Sequence, residues 1–329
     1  MATAAVSFAD LESARERIGP HVLQTPLTHS PLLSRRIGAP VWLKQENRQH
    51  TGSFKPRGAL NKILSLNPAE LRHGVVAASA GNHALGVAYA CKTLGIERAT
   101  IFVQANASPA KLAKLGAFSI EVHRIGDTFE AAQQAALAHA EKTGSVFVSA
   151  YDDPAVVAGQ GTCGLEIARQ LDTVSTVIVP VGGGALIAGI ALAVTTLRPQ
   201  AKVIGVNPAA SPSALLSLQR GHAIDPYDHE PTLAHGLAGG FGRTAFPIVR
   251  ERVERIALVS EAEIAAAIVE LIDSDQILAE PSGSAALAAL LFGKTAKPTG
   301  DVVVVISGGN LDTPTLRTVL GQEKGARPH

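Results

Sequence analysis

Continuous runs of β-branched and aliphatic residues recur along the chain, spaced by longer alanine-rich stretches: "GVVAAS", "ATIFVQ", "SIEVHR", "SVFVSA", "TVIVPV", "KVIGVN" and "DVVVVIS". A strand apolar at nearly every position is buried on both faces, and helix-length segments lie between these runs. The pattern therefore predicts an α/β fold of mainly parallel sheets covered by helices. "VWLKQE" at 41–46 reads as one more strand. The segments "ALGVAYACKTLG", "SPAKLAKLG" and "TFEAAQQAALAHAEKTG" read as helices, and "SFADLESARERIG" as another opened by a capping-box-like Ser7 and Asp10.

With 329 residues the chain is long enough for two lobes. Four of the strand-like runs fall within 72–150, which is expected to be a small domain. Residues 1–71 and 151–329 are then the large one, with a cleft between them. In open parallel sheets ligands bind at the carboxyl ends of strands, so the strand-to-helix turns carry the candidate chemistry.

Composition narrows the partners. Hydrophobic residues make up 46% of the chain, charged ones 17%, and the net charge is +1, so nothing points to nucleic acid. The longest apolar stretch, "ALIAGIALAV", is too short to cross a bilayer, and the N-terminus, with Asp10, Glu12 and Glu16, does not read as a signal peptide. Cys91 and Cys163 form no CxxC and are expected to be buried free thiols. A cytoplasmic protein acting on a small molecule is the expectation.

Three turns stand out. "SAGNHALG", 79–86, follows a strand, and a helix opening there aims free N–H groups at an anion, a carboxylate as readily as a phosphate. The plain alternative is a capped helix with Asn82 as a turn residue. In "VPVGGGALIAGIA", 179–191, strand, glycine run and helix follow in the order a phosphate cradle needs, although a close-packed turn has the same letters. "VVVVISGGN", 302–310, ends a buried strand at Ser307, which can meet a ligand over the sheet or cap its own backbone.

A nicotinamide-dependent oxidoreductase fits poorly. Ile187 stands where the last glycine of GxGxxG belongs, and Asn207 ends the next strand where an acid should hold a ribose. "GQGTCG", 159–164, matches GxGxxG literally but follows no strand. No HExxH or His/Cys cluster suggests a metal, so none is expected. What remains is a phosphate cradle, a carboxylate-binding helix start, a serine at a strand end and Lys55 in the glycine-flanked loop "TGSFKPRGA". A pyridoxal phosphate enzyme acting on an amino acid requires these parts.

At these residues the sequence resembles the threonine dehydratase and serine racemase family of fold-type II pyridoxal phosphate enzymes. "TGSFKPRGALN", "SAGNHALGVA", "PAVVAGQGT", "VPVGGGALIAG", "LAEPSGSAAL" and "ISGGN" are similar to family blocks and stand in the family order. The resemblance implies a two-lobed fold like that of the tryptophan synthase β subunit, and pyridoxal 5'-phosphate as cofactor. It implies Lys55 as the imine-forming lysine and α-proton base, Phe54 packed against the cofactor, and Asn82 on the ring hydroxyl. The backbone of Gly182, Gly183, Gly184, Ala185 and Leu186 would hold the phosphate, and Ser307 would meet the pyridine nitrogen. Ser79, Ala80, Gly81, Asn82 and His83 would grip the substrate carboxylate, with Tyr151 facing the substrate side chain. The activity implied is elimination of water from a 3-hydroxy amino acid of the threonine or serine type, giving a 2-oxo acid and ammonia.

Departures from the family pattern bear on the reaction. Racemases have a serine where Ala80 stands, and alanine cannot deliver a proton, so dehydration is favoured over racemisation. Asn207 replaces a carboxylate that in several members binds a divalent cation. Pro56 replaces an aliphatic residue, and Ala185 a fourth glycine. Other hydroxy amino acids, 3-hydroxyaspartate among them, stay open as substrates, as does racemisation. A β-replacement enzyme of the cysteine synthase type and a non-catalytic binder of pyridoxal phosphate or an amino acid are weaker alternatives. The ending "LDTPTLRTVLGQEKGARPH" leaves no room for the regulatory domain of the biosynthetic threonine enzymes, which implies the short catabolic form, a homodimer or homotetramer.

Overall fold

The computed structural model describes residues 6–321. Residues 1–5 and 322–329, on which the signal-peptide and chain-end readings partly rest, lie outside the described residues. Among the described residues there are ten strands: β1 Leu27–His29, β2 Val41–Gln45, β3 Val75–Ala78, β4 Ala99–Val103, β5 Glu121–Arg124, β6 Val146–Phe147, β7 Val174–Pro180, β8 Lys202–Pro208, β9 Arg255–Val259 and β10 Asp301–Ile306. They form a six-stranded sheet in the order β1-β2-β10-β7-β8-β9 and a four-stranded sheet in the order β5-β4-β3-β6. All neighbours are parallel except β1, which runs antiparallel to β2.

Each buried strand feeds both faces of its sheet, which is why it reads as apolar throughout. Along β10, Val303 and Val305 join the core formed with helices Pro154–Gln170 and Ala185–Leu197. Val302, Val304 and Ile306 join the opposite core, with helix Pro281–Leu291. In the smaller sheet Val75, Ala77 and Ile101 pack against helix Asn82–Leu94, while Val76, Ala78 and Phe102 meet Ala132 and Ala136 of helix Phe129–Thr143. Helix Lys55–Leu64 contributes Ala59, Leu60 and Ile63 to the core of the smaller sheet. Lys55 therefore begins a helix held between the two sheets.

Ser7 caps helix Phe8–Ile18 through a capping box with Asp10, as the sequence suggests. Two strands escape the pattern. β1 is three residues long with two exposed, and β9 is short and lies at a sheet edge. "GQGTCG" lies in the middle of helix Pro154–Gln170, where its glycines serve packing: a Cβ on Gly159 would fall 2.5 Å from the Arg57 carbonyl, and one on Gly161 or Gly164 would strike Leu11 or Ile190. No described helix is long and apolar enough to cross a membrane.

Candidate active site

Lys55 is the first residue of its helix, with Pro56 at the next position, where a missing N–H costs nothing. Helix Asn82–Leu94 approaches this start closely because Gly86 has no side chain; a Cβ there would sit 3.0 Å from the Lys55 carbonyl carbon. The Lys55 ammonium donates to the Ala150 carbonyl at 2.8 Å and lies 5.2 Å from the centre of the Phe54 ring. Burial lowers its pKa to about 8, against the opposing pull of the Glu280 carboxylate. An amine so placed is available as a neutral nucleophile and base close to physiological pH.

The loop before Lys55 is stitched to the end of β10. Ser53 bridges Gly308, the Phe54 N–H donates to the Ser307 carbonyl at 3.2 Å, and the Gly309 N–H donates to the Gly52 carbonyl at 2.9 Å. Ser307 is thereby fixed beside the lysine loop. Asn82, the first residue of its helix, donates from Nδ2 to Glu280 Oε1 at 2.5 Å and accepts at Oδ1 from Asn310 Nδ2 at 2.8 Å. Gly308 fits between them, since a Cβ there would lie 2.3 Å from Glu280 Oε1 and 3.3 Å from Asn82 Nδ2. Burial raises the Glu280 pKa, while Asn82, Lys114 and Lys111 oppose it.

In the glycine turn, Gly184 has φ +91°, a left-handed conformation glycine adopts without penalty, and caps helix Ala185–Leu197. The N–H groups of Ala185 and Leu186, in the first helical turn, have no partner within the helix. Gly183 makes room for Tyr151: a Cβ would fall 2.1 Å from the Tyr151 Cγ. The Tyr151 hydroxyl donates to the Asp225 carboxylate, 3.0 Å from either oxygen, and burial together with Asp225 raises its pKa. Tyr151 thus braces the glycine turn, and its hydroxyl already has a partner.

In "SAGNH" the Ser79 hydroxyl accepts from the Gly81 N–H at 3.1 Å. His83 is buried, its Nε2 lies 2.8 Å from the Val148 carbonyl, and burial and Lys55 lower its pKa to about 3. It is therefore neutral, and Nε2 donates to Val148. Ala80 is partly buried against the core of the smaller sheet. Lys55, Phe54, Asn82 and Ser307 are brought together through these contacts, and the glycine turn joins them through Ala150 and Tyr151. Glu280, Asn310, Lys114 and Asp225 are site neighbours that reading the sequence misses. Glu280 stands inside "LAEPSGSAAL", but an acid before Pro281 reads as an ordinary helix start.

The site fits a phosphorylated aldehyde cofactor: a bare-glycine turn opening a helix offers N–H groups suited to a phosphate, and a depressed lysine pKa suits imine formation. The buried Ser53 hydroxyl beside Lys55 has no hydrogen-bond partner. Asn207 spans two backbone groups, donating to the Val181 carbonyl at 2.8 Å and accepting from the Leu215 N–H at 3.3 Å.

Residues 18–308 match the family described as "Pyridoxal-phosphate dependent enzyme", and the chain belongs to this family. It is 42% identical over 311 residues to the L-threonine ammonia-lyase of Geobacter sulfurreducens, covering 94% of this chain and 77% of the relative. Among solved structures it superposes on a threonine deaminase from T.th. with TM-score 0.87 and 40% identity, over 93% of this chain and 99% of the other. It superposes on maize serine racemase with TM-score 0.90 and 30% identity, over 96% and 97%. The fold is that of the fold-type II enzymes, and the cofactor is pyridoxal phosphate.

Proposed function

We infer that the protein is an ammonia-lyase that eliminates water from a 3-hydroxy amino acid of the threonine or serine type, releasing a 2-oxo acid and ammonia. The observation that carries this reading is Lys55, an amine lowered to about 8 by burial at the meeting point of the three turns. The bound cofactor supplies an electron sink for the carbanion left when the α-proton departs.

The protein supplies the remainder. The N–H groups at the start of helix Asn82–Leu94 and the turn from Ser79 to His83 bind the substrate carboxylate. Lys55 Nζ takes the α-proton. The N–H groups from Gly182 to Leu186 would hold the phosphate, Phe54 would pack on the ring, Asn82 would take the ring hydroxyl and Ser307 the pyridine nitrogen. A serine at that nitrogen would hold a ring proton weakly, which would favour prompt loss of the β-hydroxyl. Tyr151, packed against Gly183, would face the substrate side chain.

Ala80 supports elimination over inversion, since its methyl group cannot protonate the second face. The names of the threonine ammonia-lyase and threonine deaminase relatives support the same choice. Residues 72–150 act as the small domain that carries the carboxylate site, and 1–71 with 151–329 as the large domain that carries the cofactor. The enzyme works in the cytoplasm as a homodimer or homotetramer; the buried free thiols of Cys91 and Cys163 are consistent with a reducing compartment. The test is a panel of 3-hydroxy amino acids of both configurations, 3-hydroxyaspartate included, scored for 2-oxo acid and for inverted amino acid. Threonine or serine is expected to give the highest 2-oxo acid yield. Inversion outpacing elimination would overturn the reading of Ala80.

A further inference from the structure

A chain of hydrogen bonds enters the site from a helix beside the smaller sheet. Lys114, on helix Pro109–Leu115 beside the smaller sheet, donates from Nζ to Asn310 Oδ1 at 2.9 Å. Asn310 follows β10, and its Nδ2 donates to the Thr51 carbonyl at 2.7 Å and to Asn82 Oδ1 at 2.8 Å. Asn82 Nδ2 in turn donates to Glu280 Oε1 at 2.5 Å. Gly52 leaves room for this arrangement, since a Cβ there would lie 3.1 Å from Asn310 Oδ1.

The chain has a direction that no member can reverse alone. An ammonium only donates and a backbone carbonyl only accepts, so Lys114 and the Thr51 carbonyl impose the same orientation on the Asn310 amide. Both Asn310 N–H groups are then spent, on Thr51 and on Asn82, which turns the Asn82 oxygen towards Asn310. One Asn82 N–H goes to Glu280. A single N–H is left that could donate to the cofactor, while the amide oxygen is committed to Asn310. An N–H donor favours the ionised form of a phenolic oxygen, whereas an amide oxygen would favour the protonated form.

We propose that Lys114, Asn310 and Glu280 are positioning residues that lock Asn82 as a hydrogen-bond donor to the ring hydroxyl of the bound cofactor. This rests on the reading that Asn82 meets that hydroxyl. Because Lys114 lies on a helix beside the smaller sheet, while Asn310 follows the last strand of the larger sheet and Glu280 caps a helix packed on it, the ionisation of the ring depends on the two sheets standing in this relation.

The test compares holoenzymes of the wild type, Asn82→Ala, Asn310→Asp and Lys114→Met. The readouts are the ratio of the long-wavelength band, from the ionised ring hydroxyl, to the short-wavelength band, from the neutral one, and the melting temperature. Aspartate at 310 can still pair with Lys114 but offers no N–H, and the ratio is expected to fall about tenfold, the worth of one hydrogen bond to a charged group. Lys114→Met, at an exposed position, is expected to lower it about threefold with an unchanged melting temperature. If Asn82→Ala changes the ratio while Lys114→Met and Asn310→Asp match the wild type, the relay is wrong. If Asn82→Ala also matches the wild type, the placement of Asn82 on the ring hydroxyl falls, and the relay with it. Should Asn310→Asp fail to fold, Lys114→Met decides alone.

Discussion

Lys44 and Lys55 lie close in sequence and are both drawn out of solvent, but their surroundings give the same side chain opposite uses. Lys44, wholly buried, sits against Glu166 Oε2 at 2.6 Å, with the Thr25 carbonyl at 2.8 Å and Gln170 Oε1 at 2.9 Å. It belongs to a network with Arg57, whose guanidinium holds Glu46 through two bonds of 2.8 Å and Glu166 through bonds of 2.6 and 3.0 Å. Burial works against the charge on Arg57, but Glu46 and Glu166 outweigh it and raise its pKa well above the usual value. Burial would raise Glu46, yet Arg57 holds it below the ordinary carboxylate range. Lys55 has one carbonyl partner and a single opposing carboxylate, so desolvation wins there. A buried cation held by two carboxylates, as Arg57 is, stays charged and holds structure. One left short of partners becomes reactive.

The contrast breaks most sharply at Lys55 itself. Lys55→Ala is expected to abolish the visible absorbance of bound cofactor and to reduce 2-oxo acid formation at least about 10³-fold, with folding retained. Survival of that absorbance in the variant would remove Lys55 from its role. Next comes the structural cation. Arg57→Met leaves Glu46 and Glu166 without their main partner in a dry site, and a loss of about 3–5 kcal/mol in denaturant unfolding is expected. A loss below about 1 kcal/mol, as for an exposed pair, would mean that the network does not hold the lysine helix.

The smallest effect separates charge from geometry. Reaction of the cofactor aldehyde with the apo-protein needs the neutral amine, so its rate should rise with pH and level off above a midpoint near 8. Glutamine at position 280 keeps an oxygen for Asn82 but removes the negative charge that raises the Lys55 pKa. In Glu280→Gln the midpoint should therefore move to lower pH, read by stopped-flow absorbance across pH 6 to 10. A midpoint that stays put or rises would show that Glu280 does not act on Lys55 through its charge.

Much of this can be read from the letters alone. Burial on both faces makes β7, β8 and β10 apolar throughout, so their positions and the turns after them are visible. β1 is missed because only three residues pair and two of them are exposed, and β9 because it opens on the exposed Arg255. The two glycine-rich stretches show the limit of such reading. At 182–184 glycines follow a strand and open a helix, whereas at 159–164 they lie inside a helix and let Arg57, Leu11 and Ile190 come close. The missing strand before "GQGTCG" argues against a ligand loop, but nothing local names the helices it would touch. Tyr151 is expected at the substrate, and nothing local in the letters announces the bond its hydroxyl makes to Asp225, seventy-four residues away along the chain.

By itself the sequence determined which residues could do chemistry: a lysine in a glycine-flanked loop, three strand-end turns and an alanine where a proton donor would be needed. Periodicity and turn chemistry are local properties, so they survive in the letters. The tertiary structure alone decided which lysine is left short of carboxylates, that Asn310 and Glu280 meet Asn82, and that Lys114 reaches Asn310 from a helix beside the smaller sheet. Those depend on desolvation and on contacts between segments far apart in the chain.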